Sequence, residues 1–455
     1  MKRLISLALA IALLLTMGTQ AATADEDRKS GAFTYRIKGN GTVAITGYDW
    51  SNNKGKDIFI PQMLDGYTVT EIADFAFGEV YWDTLGAPSD KRDDSRLASG
   101  LVIPNTVLNI GDAVFWGVNF ETKVINIPSG VQYIGSGAFS NISGIEQFVV
   151  DSGNPIYSTI DGVLYDKKEK ALVAYPPEKI GKPGTKVGPT FVVPTGIKSI
   201  GDYAFFNVDF GLDKTTYEAR RISLPDTLES IGEYSFAYTY IPTHSVKRNG
   251  AGARGYKQYL ILPESVSQIG MGAFYCPTET WDGIDLSATK LREIPSAAFS
   301  YCRIFNSIKL PDTLETVGMF AFYNLNNYGG TMGLPASVTT IDDCAFNSSN
   351  ISHIAIPINS KLRIIGEGAF YGADLTGTVT IPSGVEEIGD SVFDKCDNIT
   401  DIKLPASVKH IGEDFCVRNK VYLDVEDGSY AALWAAENGY MVQSAVTEDT
   451  SWLND

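Results

Sequence analysis

Three histidines, His244, His353 and His410, make up the whole imidazole complement of this 455-residue chain. None stands at a metal-ligand spacing from another histidine or from a cysteine, and the patterns G-x-S-x-G, H-E-x-x-H and the phosphate loop are absent. A calcium loop of the D-x-D-x-D-G kind is absent as well. His410 precedes Ile411 at a position that elsewhere holds Glu71, Asn109, Ser230, Thr316 and Glu387, so it reads as part of a solvated face. The acidic pairs Asp342/Asp343 and Glu386/Glu387 fall at variable outward positions. A catalytic carboxylate needs a pocket that perturbs it, so these pairs read as solubility. Cys276, Cys302, Cys344, Cys396 and Cys416 are too sparse for a disulfide framework and read as small buried side chains. One bridge, Cys276 to Cys302, stays open because the two lie in neighbouring repeats. The expectation is a protein that is not an enzyme, with no metal and no cofactor.

The elements that would position any other chemistry come from a sentence the chain repeats. "IPSGVQYIGSGAF" at 127–139 returns as "IPSGVEEIGDSVF" at 381–393. The unit's Pro recurs at 61, 104, 128, 194, 225, 263, 311, 335, 357, 382 and 405, with Ser287 in the same slot of one further copy, which makes twelve. From 263 onward the repeats are 22–25 residues long. Apolar residues one and three positions before the Pro slot, as in Ile125/Ile127 and Ile402/Leu404, give the period of two of a strand with one buried face. Pro ends that strand because it cannot donate to a ladder. Then come Val or Leu, an Ile, a Gly such as Gly111, Gly389 or Gly412, and a closing Phe such as Phe115, Phe236 or Phe393. A Gly at such a bend marks a backbone angle or a close approach that a side chain would block. One unit has too little apolar surface to fold alone, and stacked copies bury a common core. Propeller blades need about 40 residues, so a solenoid is expected.

"LPASVTTIDDCAF" and "LPDTLETVGMFAF" resemble the BspA-type leucine-rich repeat of bacterial secreted and surface proteins. The resemblance covers about 58–423 and implies a β-rich α/β solenoid, a right-handed coil of about twelve repeats. Residues 25–57 resemble an N-terminal hairpin cap, 145–190 a β-hairpin insertion, and 424–455 a C-terminal helical cap and tail whose helix starts near Ser429 and ends at Gly439. The positive start, the apolar run Leu4–Met17 and the small residues Ala22 and Ala24 predict a signal peptide over 1–24, hence a secreted protein free or held at a cell surface. The net charge of −17 argues against nucleic acid and anionic membrane as partners, and no second long apolar run predicts membrane insertion. A monomer is expected.

The resemblance implies an adhesin-like binding module, with a macromolecular partner that is a protein rather than a glycan. Two sets of residues are candidates for the surface. The first is the outward strand position between the two core residues: Phe59, Val102, Asn126, Val192, Ser223 and Ile261 in the first half, against Asp285, Lys309, Gly333, Ala355, Thr380 and Lys403 in the second. We expect insertions to cover this more apolar strip. The second set lies in the insertions themselves, about 79–99, 207–220 and 238–257: Tyr81, Trp82, Tyr217, Tyr240, Tyr256, with Lys247, Arg248 and Arg254 in a basic glycine-rich island. Aromatic residues there read equally as recognition groups or as pins that hold the insertions down. As recognition groups, Trp82 and the tyrosines would suit a carbohydrate as well as a protein.

Overall fold

The computed structural model describes residues 26–83, 86–91, 93–179, 190–210, 212–213, 218–219, 221–247 and 256–443. The expected signal peptide, Tyr217, Arg248 and Arg254 lie outside the described residues, as do the side chains of Lys247 and Tyr256. Two compact units are present: residues up to Lys257 with Gly272–Thr278, and Gln258–Met271 with the residues from Glu279 on.

The first unit opens with an antiparallel meander, β1 (Arg28–Ser30), β2 (Phe33–Ile37) and β3 (Thr42–Tyr48). Its inward residues Tyr35, Val43 and Ile45 are buried, and β3 runs parallel to Tyr67–Ile72 through Val43↔Val69 and Ile45↔Ile72. From there the chain coils, and each coil adds one strand to each of two parallel ladders. The first ladder is the strand before the Pro slot, seen in β4 (Lys56–Phe59) against Leu97–Val102, and in Val124–Ile127 against Gln147–Val150. The second consists of two-residue strands ending on the Ile: Glu71–Ile72, Asn109–Ile110 and Tyr133–Ile134 lie side by side. Strands Tyr157–Ile160, Val163–Asp166 and Ala171–Ala174 form antiparallel pairs within the expected hairpin insertion. Buried Asn154 anchors it: its amide donates to the carbonyls of Pro128 and Val131 at 2.9 Å each, and its Oδ1 accepts from Ile156 and Tyr157.

The second unit repeats the scheme. Its first ladder includes Trp281–Asp285 beside Ile304–Lys309, and Thr376–Thr380, Asn398–Leu404, Tyr422–Val425 and Met441–Val442 in that order. Its second runs from Glu293–Ile294 through Thr316–Val317, Thr340–Ile341, Ile364–Ile365 and Glu387–Ile388 to His410–Ile411. Helix α1 (Tyr430–Glu437) follows, the only helix among the described residues; the Ser429 hydroxyl accepts from the Ala432 N–H at 3.2 Å, and Gly439 has φ +72°.

The closing phenylalanines form the spine of each unit. Phe205, Phe236 and Phe274 stack at 4.9 and 5.4 Å in the first, and Phe299, Phe322, Phe346, Phe370 and Phe393 at 5.2–5.6 Å in the second. In the hairpin coil Tyr175 takes the same place, stacked on Phe205 at 4.9 Å. Phe415 comes one residue early in its repeat; it meets Phe393 edge-on at 84° and turns to Trp434 of α1, which closes the spine.

The Gly after the Ile is there for proximity, not for handedness. A Cβ at Gly389 would lie 2.6 Å from the Glu367 nitrogen, and one at Gly412 2.5 Å from the Asp390 nitrogen. The left-handed residue stands two positions later: Ala113, Tyr203, Tyr234, Phe320, Cys344 and Ser391 have φ between 48° and 57°. Such a conformation costs an L-residue roughly 1–2 kcal/mol. It is held by bonds from the next coil, such as Tyr203 N–H to Glu233 O at 2.8 Å and Cys344 N–H to Glu367 O at 2.8 Å.

Candidate binding surface

On the first ladder of the first unit, alternation turns Ile58, Leu101, Ile125 and Phe148 inward and their neighbours outward. The outward side chains are open: Phe59 is 61 % exposed, Val102 48 %, Val149 41 % and Val192 60 %, with Asn126 exposed among them. Phe59 is the direct strand partner of Val102, so these two apolar groups sit side by side; Asn126 is the partner of Val149, and Val192 that of Ser223 on a separate pair of strands. The expectation that insertions cover the strip is therefore corrected at these positions. Ile261 belongs to the second unit and is half-buried.

The insertion that begins at Glu79 lies elsewhere because its polar groups find partners along the turns that follow each Phe. Asn141 donates to the Lys91 carbonyl at 3.2 Å, Asn207 donates to the Asp90 carbonyl at 3.3 Å, and the Tyr275 hydroxyl donates to the Asp83 carboxylate. Beneath it, Trp116 packs on Phe206 at 4.6 Å and Tyr238 on Tyr275 at 5.7 Å. The insertion is a strap over the turns, and the strand row stays open.

The insertion aromatics separate into two kinds. Tyr240 is 7 % exposed and is not a surface group, which corrects its place among the candidates; its ring is more stable in the apolar interior than in water. Phe210, stacked on Tyr175 at 5.2 Å, is buried too, as are Trp281 and Tyr328 in the second unit. These are pins. Trp82 is half exposed, and beside it the Tyr81 hydroxyl reaches Glu79 at 3.3 Å while the Lys91 ammonium stands 5.1 Å from the Tyr81 ring. The backbones of Lys247 and Tyr256 lie in the strands His244–Lys247 and Tyr256–Ile261.

His244, His353 and His410 are exposed. Burial pushes the Cys344 thiol up to about 11 and those of Cys396 and Cys416 up to about 12, so none is a thiolate at neutral pH. Among the described residues no three His, Cys, Asp or Glu side chains are grouped to hold a metal ion, and no helix is long and apolar enough to cross a membrane. One set of acids does more than confer solubility. Asp74, Asp112, Asp202, Asp343 and Asp390 each accept the backbone N–H of the matching residue one coil on, at 2.7–2.8 Å. The recurrence of Asp directly after the Gly slot was the available signal. Burial, then the neighbouring Asp74, raises the Asp112 carboxyl above its ordinary range; burial and Asp202 do the same for Glu233, and burial and Asp343 for Asp342.

Several comparisons bear on this architecture. The chain is similar to a leucine-rich repeat protein from Eubacterium ventriosum (18 % identity, 71 % of this chain and 94 % of that one, TM-score 0.43). It is also similar to one from Bacteroides ovatus (18 %, 85 % and 100 %, TM-score 0.37). A leucine rich cell surface protein from Faecalibacterium prausnitzii aligns at 16 % identity over 94 % of this chain and 100 % of that one, with TM-score 0.26. No curated protein matches. The model of the BspA type leucine rich repeat region, in six copies, matches residues 94–163, 189–249, 254–327 and 292–420. Those segments contain the strand–Pro–Ile–Phe coils described above, and the chain belongs to the BspA-type leucine-rich repeat family.

Proposed function

We propose that this protein is a non-catalytic, extracellular binding module, adhesin-like, and that the open row of the first unit is where a protein partner docks. The observation that carries the reading is the exposure of Phe59 and Val102, direct strand partners, with Val192 exposed at the same strand position of a later coil. Water-exposed apolar side chains gathered in one row gain free energy when a partner covers them, whereas scattered ones carry no message. A monomer with such a row and acidic charge overall suits a polypeptide surface better than nucleic acid or anionic lipid.

Trp82 with Tyr81 supports a second reading, a carbohydrate stacked on the strap, because both are accessible to some degree and carry polar neighbours. The two readings part in one assay. Labelled protein is bound to host or microbial cells that have been treated with protease or with periodate. Loss after protease alone supports the protein-binding row. Loss after periodate alone refutes it and moves the site to Trp82.

A further inference from the structure

The meander β1–β3 caps only one of the two ladders. It joins the second ladder through β3 and Tyr67–Ile72. The first ladder starts at β4, which among the described residues is the end strand of its sheet, followed by Leu97–Val102 and Asn119–Phe120. Resting on the protein-binding reading above, we propose that β4 is an acceptor edge, and that the partner adds an extended peptide strand to it.

The backbone geometry sets the chemistry of the occupant. The Ile60 N–H donates to Val102 O at 3.0 Å, so strand alternation turns the N–H and C=O of Phe59 and of Asp57 to the opposite side. Lys56, Asp57 and Phe59 are exposed on that strand, while Ile58 is fully buried. Proteins ordinarily blunt an edge with a very short strand, charged side chains, a Pro, a bulge or a covering element. The far end of the second unit's first ladder does so: it finishes on the two-residue strand Met441–Val442, with α1 just before it in the chain. β4 has four residues, and its nearest Pro is Pro61, beyond the strand. Its charges, Lys56 and Asp57, and the register shift between Lys56 and Ile58 sit at its start, which leaves the Phe59 end unblunted. Alternating donors and acceptors along an extended line are matched by another polypeptide strand and not by a sugar. The outward residue of that strand would stand beside Phe59, so an apolar side chain there would cover the ring and prolong the row through Val102.

The test uses the full chain and an acetylated, amidated peptide copying residues 122–128, which carries the ladder's own strand pattern. Hydrogen exchange of segment 56–60 is expected to slow when the peptide is added. The variant Asp57→Pro removes one outward donor and leaves Phe59 and Val102 in place; it is expected to weaken the peptide about tenfold. Unchanged exchange at 56–60 with peptide up to about 1 mM, the weak end of specific recognition, overturns the proposal. Unaltered peptide affinity in a folded Asp57→Pro variant does the same, and the wild-type exchange result decides if that variant does not fold. The row reading fails separately: Val102→Asp would then keep cell binding, whatever the peptide does at β4.

Discussion

Val192 in the first unit and Lys309 in the second hold the same outward strand position, and they meet opposite surroundings. Val192 stands 60 % exposed beside Ser223, whereas Lys309 pairs with Asp285 of the preceding strand at 2.8 Å. Lys403 likewise pairs with Asp424 at 3.2 Å. The inward letters are interchangeable between the units, for phenylalanines stack at nearly the same spacing in both. Coil stacking therefore depends on one face, and the other face is free to become charged and self-satisfied or apolar and open. That difference is where function is expected to lie.

The comparison is tested most severely at the shared face. Phe236→Ala and Phe346→Ala should each cost roughly 3–5 kcal/mol, because each removes a ring stacked on both sides. Chemical denaturation would show comparable losses; a change in only one unit would mean the units do not share one packing rule. Gly389→Ala should cost about 1–3 kcal/mol, since the new methyl meets the Glu367 nitrogen at 2.6 Å and a backbone must shift. Asp343→Ala should cost about 1 kcal/mol through the lost acceptor of the Glu367 N–H, read as a lower denaturation midpoint.

Titration gives a smaller, signed effect. The Asp342 carboxyl is raised in the folded state by burial and by Asp343, so its ionisation opposes folding. The cost is complete above the folded-state pKa and absent below the ordinary carboxylate range. Asp342→Asn should therefore be more stable than the parent at neutral pH, with the advantage vanishing in acid; an advantage that grew in acid would contradict the assignment. Smallest of all, Lys309→Ala should leave the thermal midpoint unchanged within error, because an exposed ion pair contributes little.

Much of this was legible from spacing. The strand before the Pro slot and the Phe spine follow from residue types at fixed offsets, whereas the hairpin around 157–174 and the helix capped by Ser429 were implied by the family resemblance. The second ladder was not read, because two residues such as Asn109–Ile110 are too short to show a period. The left-handed turn residue hid for another reason: Tyr203, Phe320 and Ala113 fill it, and side chains of such kinds do not announce a positive φ. The open row was misjudged because a sequence gives an insertion's length but not its direction. That direction depended on Asp83, Asn141 and Asn207 finding partners across distant coils.

The most direct measurement exchanges the outward letters. Val102→Lys with Val192→Lys gives the first unit the chemistry of the second, and Lys309→Val with Lys403→Val does the reverse. Binding to cells is then compared among the three folded proteins. The account predicts that the first exchange abolishes binding, and that the second leaves it at the parental level. Binding that survives the first exchange and is lost in the second would contradict it.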